Sequence, residues 1–230
     1  MATLEIVKAP LRTADKPFYF TSSAHLLRIG RQRATTLAEL FDALHTCPDD
    51  SIFQHTFRTL EEHHFIRQGF SNDFAHWAFT ACNEVVLAEH LAGVDVRDFT
   101  SIAALRDHVI KIVADYIHWN PNSQGRVARE PFYFCSSEIV VLHALFTAAT
   151  LPQFSEGLAR ATVHCIHHHF IEARLRLKLM SNDFSRWLQE ELRLPEMARA
   201  VNRIDIYTAT LEDVRRQILG IVAGAMESTQ

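Results

Sequence analysis

The chain has 230 residues, 48% hydrophobic and 22% charged, which is enough apolar material for one large core or two smaller ones. Its 23 basic and 27 acidic side chains give a net charge of -4 without a long basic stripe, which argues against nucleic acid as a partner. The N-terminal stretch MATLEIVKAPLRTADK lacks the apolar run of a signal sequence and no long uncharged apolar stretch follows, so the expectation is an unanchored cytoplasmic protein.

In chain order, KPFYFTSS at 16 to 23 is the first distinctive block, and its Ser22 and Ser23 read as a cap for a following helix. RIGRQR at 28 to 33 then brings Arg28, Arg31 and Arg33 together, reading either as a solvated turn or as an anion site, since guanidinium forks suit phosphate and carboxylate. TLAELFDAL opens with Thr36 and Glu39, a capping box in which each side chain satisfies a free backbone N–H. Cys47 is the first of four scattered cysteines, with Cys82, Cys135 and Cys165; the absence of a CxxC pair argues against a zinc knuckle or dithiol motif and favours buried thiols. His55 follows in an Ile-x-x-His step, and Glu61 and His64 then have the spacing used in carboxylate-bridged di-iron bundles, without further matching carboxylates.

SNDFAHW at 71 to 77 reads as a helix start, with Asp73 as the cap and Phe74 and Trp77, three apart, as core anchors. A helix is expected from about Ser101 to Ile117, then a polar linker, NPNSQGRVARE, at 120 to 130.

From there the pattern recurs. EPFYFCSS at 130 to 137 repeats the first block at a separation of 114, including Ser136 and Ser137, and Thr150-Leu151 repeats Thr36-Leu37 with Gln153 completing its box. His169 matches His55 at the same offset, although an offset of 113 would superpose Phe57 on Phe170 instead. SNDFSRW at 181 to 187 repeats the heptad at 110, matching Asn72, Asp73, Phe74 and Trp77 to Asn182, Asp183, Phe184 and Trp187. Between them, Val163, Ile166, Phe170, Ala173, Leu177 and Met180 form one helical stripe, and Thr210 with Asp213 caps a last helix. Seven glycines give few turn signals, so the expected fold is all-α, two tandem helical-bundle repeats at 1–119 and 131–230 around the 120–130 linker.

The order PFYF…SS, capped Thr-Leu helix, Ile-x-x-His and NDF-x-x-W resembles an uncharacterised prokaryotic family of unknown function whose members carry PFYF and NDFAxW signatures. The resemblance covers nearly all the chain beyond the first 15 residues and implies no established activity. It also implies a Gly-Arg pair after the first PFYF block, met by Gly30-Arg31 but replaced by Ala144-Leu145 in the second copy.

Three constellations could carry chemistry. His164, His168 and Glu172 are four apart, in line on one helix face as metal ligands would be, but opposite the apolar stripe, so a solvated face is expected. His55 with Asp73, and His169 with Asp183, could each orient a general base or form a satisfied buried contact, with Asn72 and Asn182 alongside. With no complete catalytic set and no cofactor implied, the leading reading is a non-catalytic protein that binds a protein partner or itself. The rival is an enzyme or anion-binding protein with a site between the repeats, using Arg31 and the His–Asp pairs.

Overall fold

The computed structural model describes residues 12–58, 70–142, 146–173, 181–207 and 209–227. The architecture is mixed, not all-α. Strands β1 (Phe18–Tyr19), β2 (Ser22–Ala34), β3 (Phe132–Leu142) and β4 (Thr147–Ala148) accompany the helices and form two small sheets, β1 with β4 and β2 with β3. Scarcity of glycine misleads here because these strands pair across the sequence rather than through hairpins: Phe18 lies opposite Ala148 and Tyr19 opposite Thr147, antiparallel, with no local turn to announce them. Ser22 and Ser23 lie in β2, and Ser136 in β3, so none of them caps a helix.

Two compact units result, and they cut across the sequence repeats. A central unit spans His25–Val140, and a terminal unit combines Met1–Ala24 with Val141–Gln230. Each PFYF block therefore belongs to the unit built by the helices of the other repeat.

In the central unit, α1 (Leu37–Thr46) starts at Thr36, whose hydroxyl accepts from Glu39 N at 3.1 Å. The Glu39 carboxylate reaches back one residue further than a simple box, to Thr35 N and Oγ1 at 2.6 Å, and these bonds hold it below the usual carboxylate range. A short α2 (Asp49–Phe53) runs into a π-helix, π1 (Gln54–Arg58). Then α3 (Asp73–Thr80) packs on α4 (Val85–Ala92), and α5 (Ile102–Trp119) covers α1. The 120–130 linker is tied down: Arg126 Nη1 donates to the buried Glu84 carboxylate at 2.9 Å, which also accepts from Tyr116 Oη at 2.6 Å.

The terminal unit follows the same plan with α6 (Leu151–Arg160), α7 (Val163–Ile166), a second π-helix π2 (His167–Glu172), α8 (Asp183–Glu190), α9 (Pro195–Asn202) and α10 (Leu211–Glu227). Thr150 caps α6 through Gln153 N, and Thr210 and Asp213 bond each other's backbone N–H at 3.0 Å before α10. Phe74 and Phe184 are fully buried, and Trp77 and Trp187 nearly so, as core anchors should be.

Candidate functional site

The repeated heptad divides its labour differently from the sequence expectation. Asn72 and Asn182, not the aspartates, are the N-caps: Asn72 Oδ1 accepts from Ala75 N and Asn182 Oδ1 from Ser185 N, each at 2.9 Å. Their amide nitrogens then reach the next helix, Asn72 Nδ2 donating to Leu91 O at 2.8 Å and Asn182 Nδ2 to Asn202 Oδ1 at 3.1 Å. Asp73 and Asp183 are thereby moved to the first helical position and aim at histidine. His55 Nδ1 donates to Asp73 Oδ2 at 2.8 Å, and His169 Nδ1 to Asp183 Oδ2 at 2.7 Å.

The far ring nitrogens decide what these pairs can do. His55 Nε2 accepts from Cys135 N, and His169 Nε2 accepts from Thr21 N, both at 2.9 Å. A backbone N–H can only donate, so Nε2 carries no proton in either ring, and the ring proton sits on Nδ1 facing the carboxylate. A general base needs that Nε2 lone pair for its substrate. Here it holds the chain. Cys135 beside His55 and Asp73 is not an activated thiol either: its backbone, not its sulfur, meets the imidazole, and burial, reinforced by the Asp73 charge, pushes the thiol up.

Around each histidine the same fittings recur. In the terminal unit His169 lies against Phe18 and Phe184, and Trp187 Nε1 donates to Lys16 O at 2.8 Å. In the central unit His55 lies against Phe132 and Phe74, and Trp77 Nε1 donates to Glu130 O at 2.8 Å. A further main-chain bond matches, Ala14 N to Ala149 O and Ala128 N to Thr35 O, both 2.7 Å. Each partner in one unit lies 114 residues from its partner in the other on the PFYF side, and the offset of 114 for His55 and His169 gives the equivalent contacts.

The histidine cluster departs most from its expected place. His164 is exposed, but His168 and Glu172 are each only 7% exposed and His167 1%, so no solvated face exists there. The α-helical wheel fails because residues 167 to 172 are π-helical, and the wider turn rotates all six inward. Glu172 becomes a buried acceptor: His167 Nδ1 donates to Oε1 and His168 Nδ1 to Oε2, both at 3.0 Å, and Ser23 Oγ donates at 3.2 Å. The central unit has Phe53, Gln54 and Arg58 at the matching positions, so this hub belongs to one unit only. Among the described residues, no group of three or more His, Cys, Asp or Glu side chains is arranged to hold a metal ion. Glu61 and His64 lie outside the described residues, as do Leu177, Met180, Ala144 and Leu145.

Arg28, Arg31 and Arg33 lie on strand β2 rather than in a turn, all exposed. Strand alternation puts Arg31 and Arg33 on one face and Arg28 on the other, so the three do not converge on one anion.

No helix among the described residues is long and apolar enough to cross a membrane. The model of a family of unknown function, DUF5752, matches residues 15–223. Among solved structures, OrfY from Thermoproteus tenax is similar, with 27% identity and a TM-score of 0.81 over 94% of this chain and 98% of that one. A comparison with curated proteins finds no match.

Proposed function

The chain belongs to the DUF5752 family, and we propose that it is a non-catalytic assembly protein that pairs with a second copy of itself through the β2–β3 ribbon. The observation that carries this reading lies in the central unit. Leu26 and Leu27 are 59% exposed and Ile29 76%, with Tyr133 and Val140 also exposed on the paired strand. Leu26 is on one face of β2 and Leu27 and Ile29 on the other, so both faces offer apolar surface to water. A two-stranded ribbon bare on both faces is marginal by itself, and large apolar side chains this exposed on paired strands are what an interface would cover.

The ribbon carries both signs of charge for such a pairing: Arg28 and Arg31 are exposed on β2 and Glu138 is exposed on β3. Symmetric self-pairing is also the commonest way for a soluble chain to cover such a patch. Against a catalytic reading stands the use of both ring nitrogens of His55, one on a carboxylate and one on a backbone N–H. Four free cysteines accord with a cytoplasmic setting, and the acidic balance with a protein rather than nucleic-acid partner.

Native mass spectrometry and sedimentation of the full chain test the proposal. The wild type should be a discrete oligomer, and Leu27→Asp with Ile29→Asp should be monomeric with an unchanged helical circular dichroism signal. A monomeric wild type, or an oligomer indifferent to both changes, would sink it.

A further inference from the structure

Each unit contains a groove occupied by an extended segment from the opposite sequence repeat, and the groove reads that segment mainly through its backbone. In the terminal unit, residues 14 to 23 are held by Ala14 N on Ala149 O (2.7 Å), Lys16 O on the Trp187 indole (2.8 Å), the β1–β4 pairing, and Thr21 N on His169 (2.9 Å). Phe18 and Phe20 point inward and are buried, while Tyr19 between them is exposed. The central unit holds residues 128 to 135 in the same way, by Ala128 N (2.7 Å), Glu130 O (2.8 Å) and Cys135 N (2.9 Å), with Phe132 and Phe134 buried and Tyr133 exposed. Strand addition to a sheet edge, with pockets for alternate side chains, is a general mode of peptide recognition.

We propose that each groove is a capture site for an extended peptide of the form Phe-Tyr-Phe-x, in which two alternate rings fill the pocket and the amide that follows is clamped by the histidine. The grooves do not distinguish the two segments. These differ at Asp15 against Arg129, Lys16 against Glu130 and Thr21 against Cys135; Lys16 and Glu130 meet the indoles through their carbonyls, Thr21 and Cys135 meet the clamp through their backbone N–H, and the inward rings are phenylalanine in both. Either repeat's segment therefore fits either groove, and a second copy of the chain is a competent donor. This rests on the groove alone, not on the exposed ribbon of the preceding section.

The test opens one groove in the full-length chain. Phe18→Asp with Phe20→Asp removes both rings from the terminal groove, and the probes are fluorescent peptides of sequence ADKPFYFTSSA (14 to 24) and AREPFYFCSSE (128 to 138), followed by anisotropy. Both should bind the variant with affinities within about tenfold of each other. The wild type, its groove filled, should bind at least about tenfold more weakly. Methylating the amide nitrogen at the Thr21 position of the first peptide removes the donor to His169 and should weaken binding by about tenfold.

A variant that keeps its helical signal yet binds neither peptide, binds only the first, or binds a scrambled peptide equally overturns the proposal. Should the variant lose its helical signal, the wild-type chain with a protease site inserted after Gly125 supplies the second measurement. Cleavage leaves each unit made of both fragments, so the two should remain associated in native mass spectrometry, and their separation would count equally against it.

Discussion

Asn72 and Asn182 show how a single position can set a whole neighbourhood. By taking the cap, each asparagine frees the following aspartate to turn toward a histidine. Asn72→Ala should therefore cost more than the usual cap loss of about 0.5 to 2 kcal/mol, because the bond to Leu91 O is lost as well. Asp73→Ala and Asp183→Ala should not behave alike: the Asp73 side chain is 38% exposed and that of Asp183 14%, so the terminal pair should lose more when broken. Chemical denaturation of the three variants gives the ranking, and equal losses at both aspartates would contradict it. His168→Ala is the sharpest residue-level test of the buried hub. Removing a donor from the buried Glu172 should cost about 1 to 3 kcal/mol, where a surface histidine would cost nothing measurable.

Between elements, Phe20, which follows β1, packs closely on α6. The Phe20 ring lies over Gly157, where an added Cβ would sit 2.3 Å from Cε2, while the matching position in α1 is Ala43. Gly157→Ala should destabilise by about 1 to 3 kcal/mol through overpacking despite better helix propensity. Gly220 in α10 has no neighbour within 4 Å of a built Cβ, so Gly220→Ala should be neutral or stabilising by up to about 1 kcal/mol. Thermal melts of the pair should shift in opposite directions, or at least in that order. The π-helices act at this scale as well. Each widens the helix just where the clamp histidine must face the strand, so a one-residue deletion within 54 to 58 or 167 to 172 should break the clamp while leaving α-helical content nearly intact.

For the molecule as a whole, the thiols give a pH dependence with a definite sign. Burial pushes Cys82 in the central unit and Cys165 in the terminal unit up to about 12, from an ordinary value of 9.0. A folded-state value above the unfolded one means that the native state keeps protons the unfolded chain releases. The associated stability is fully present below about pH 9 and declines as pH rises from there toward 12. Urea midpoints should fall across that window, and Cys82→Ser or Cys165→Ser should flatten the fall. A pH-independent midpoint between 9 and 11 would refute the assignment.

Much of this was legible in the chain, because local rules act over a few residues. Thr36, Thr150 and Thr210 announced their helices through short-range capping, and Phe74, Trp77, Phe184 and Trp187 announced buried anchors through their spacing. The His–Asp pairs were visible as candidates because they recur, and the resemblance to a family of unknown function stood on motifs that span the chain. Three things were decided only in the folded molecule. Strands pairing Phe18 with Ala148, or β2 with β3, have no hairpin to mark them, so their hydrogen bonds depend on residues far apart in the sequence. The burial of His168 and Glu172 followed from a π-helical turn, whose wider period no α-helical wheel represents. The partner of each Nε2 is a backbone N–H, and since every residue but proline carries one, side-chain identity could not say that Thr21 and Cys135 would supply it.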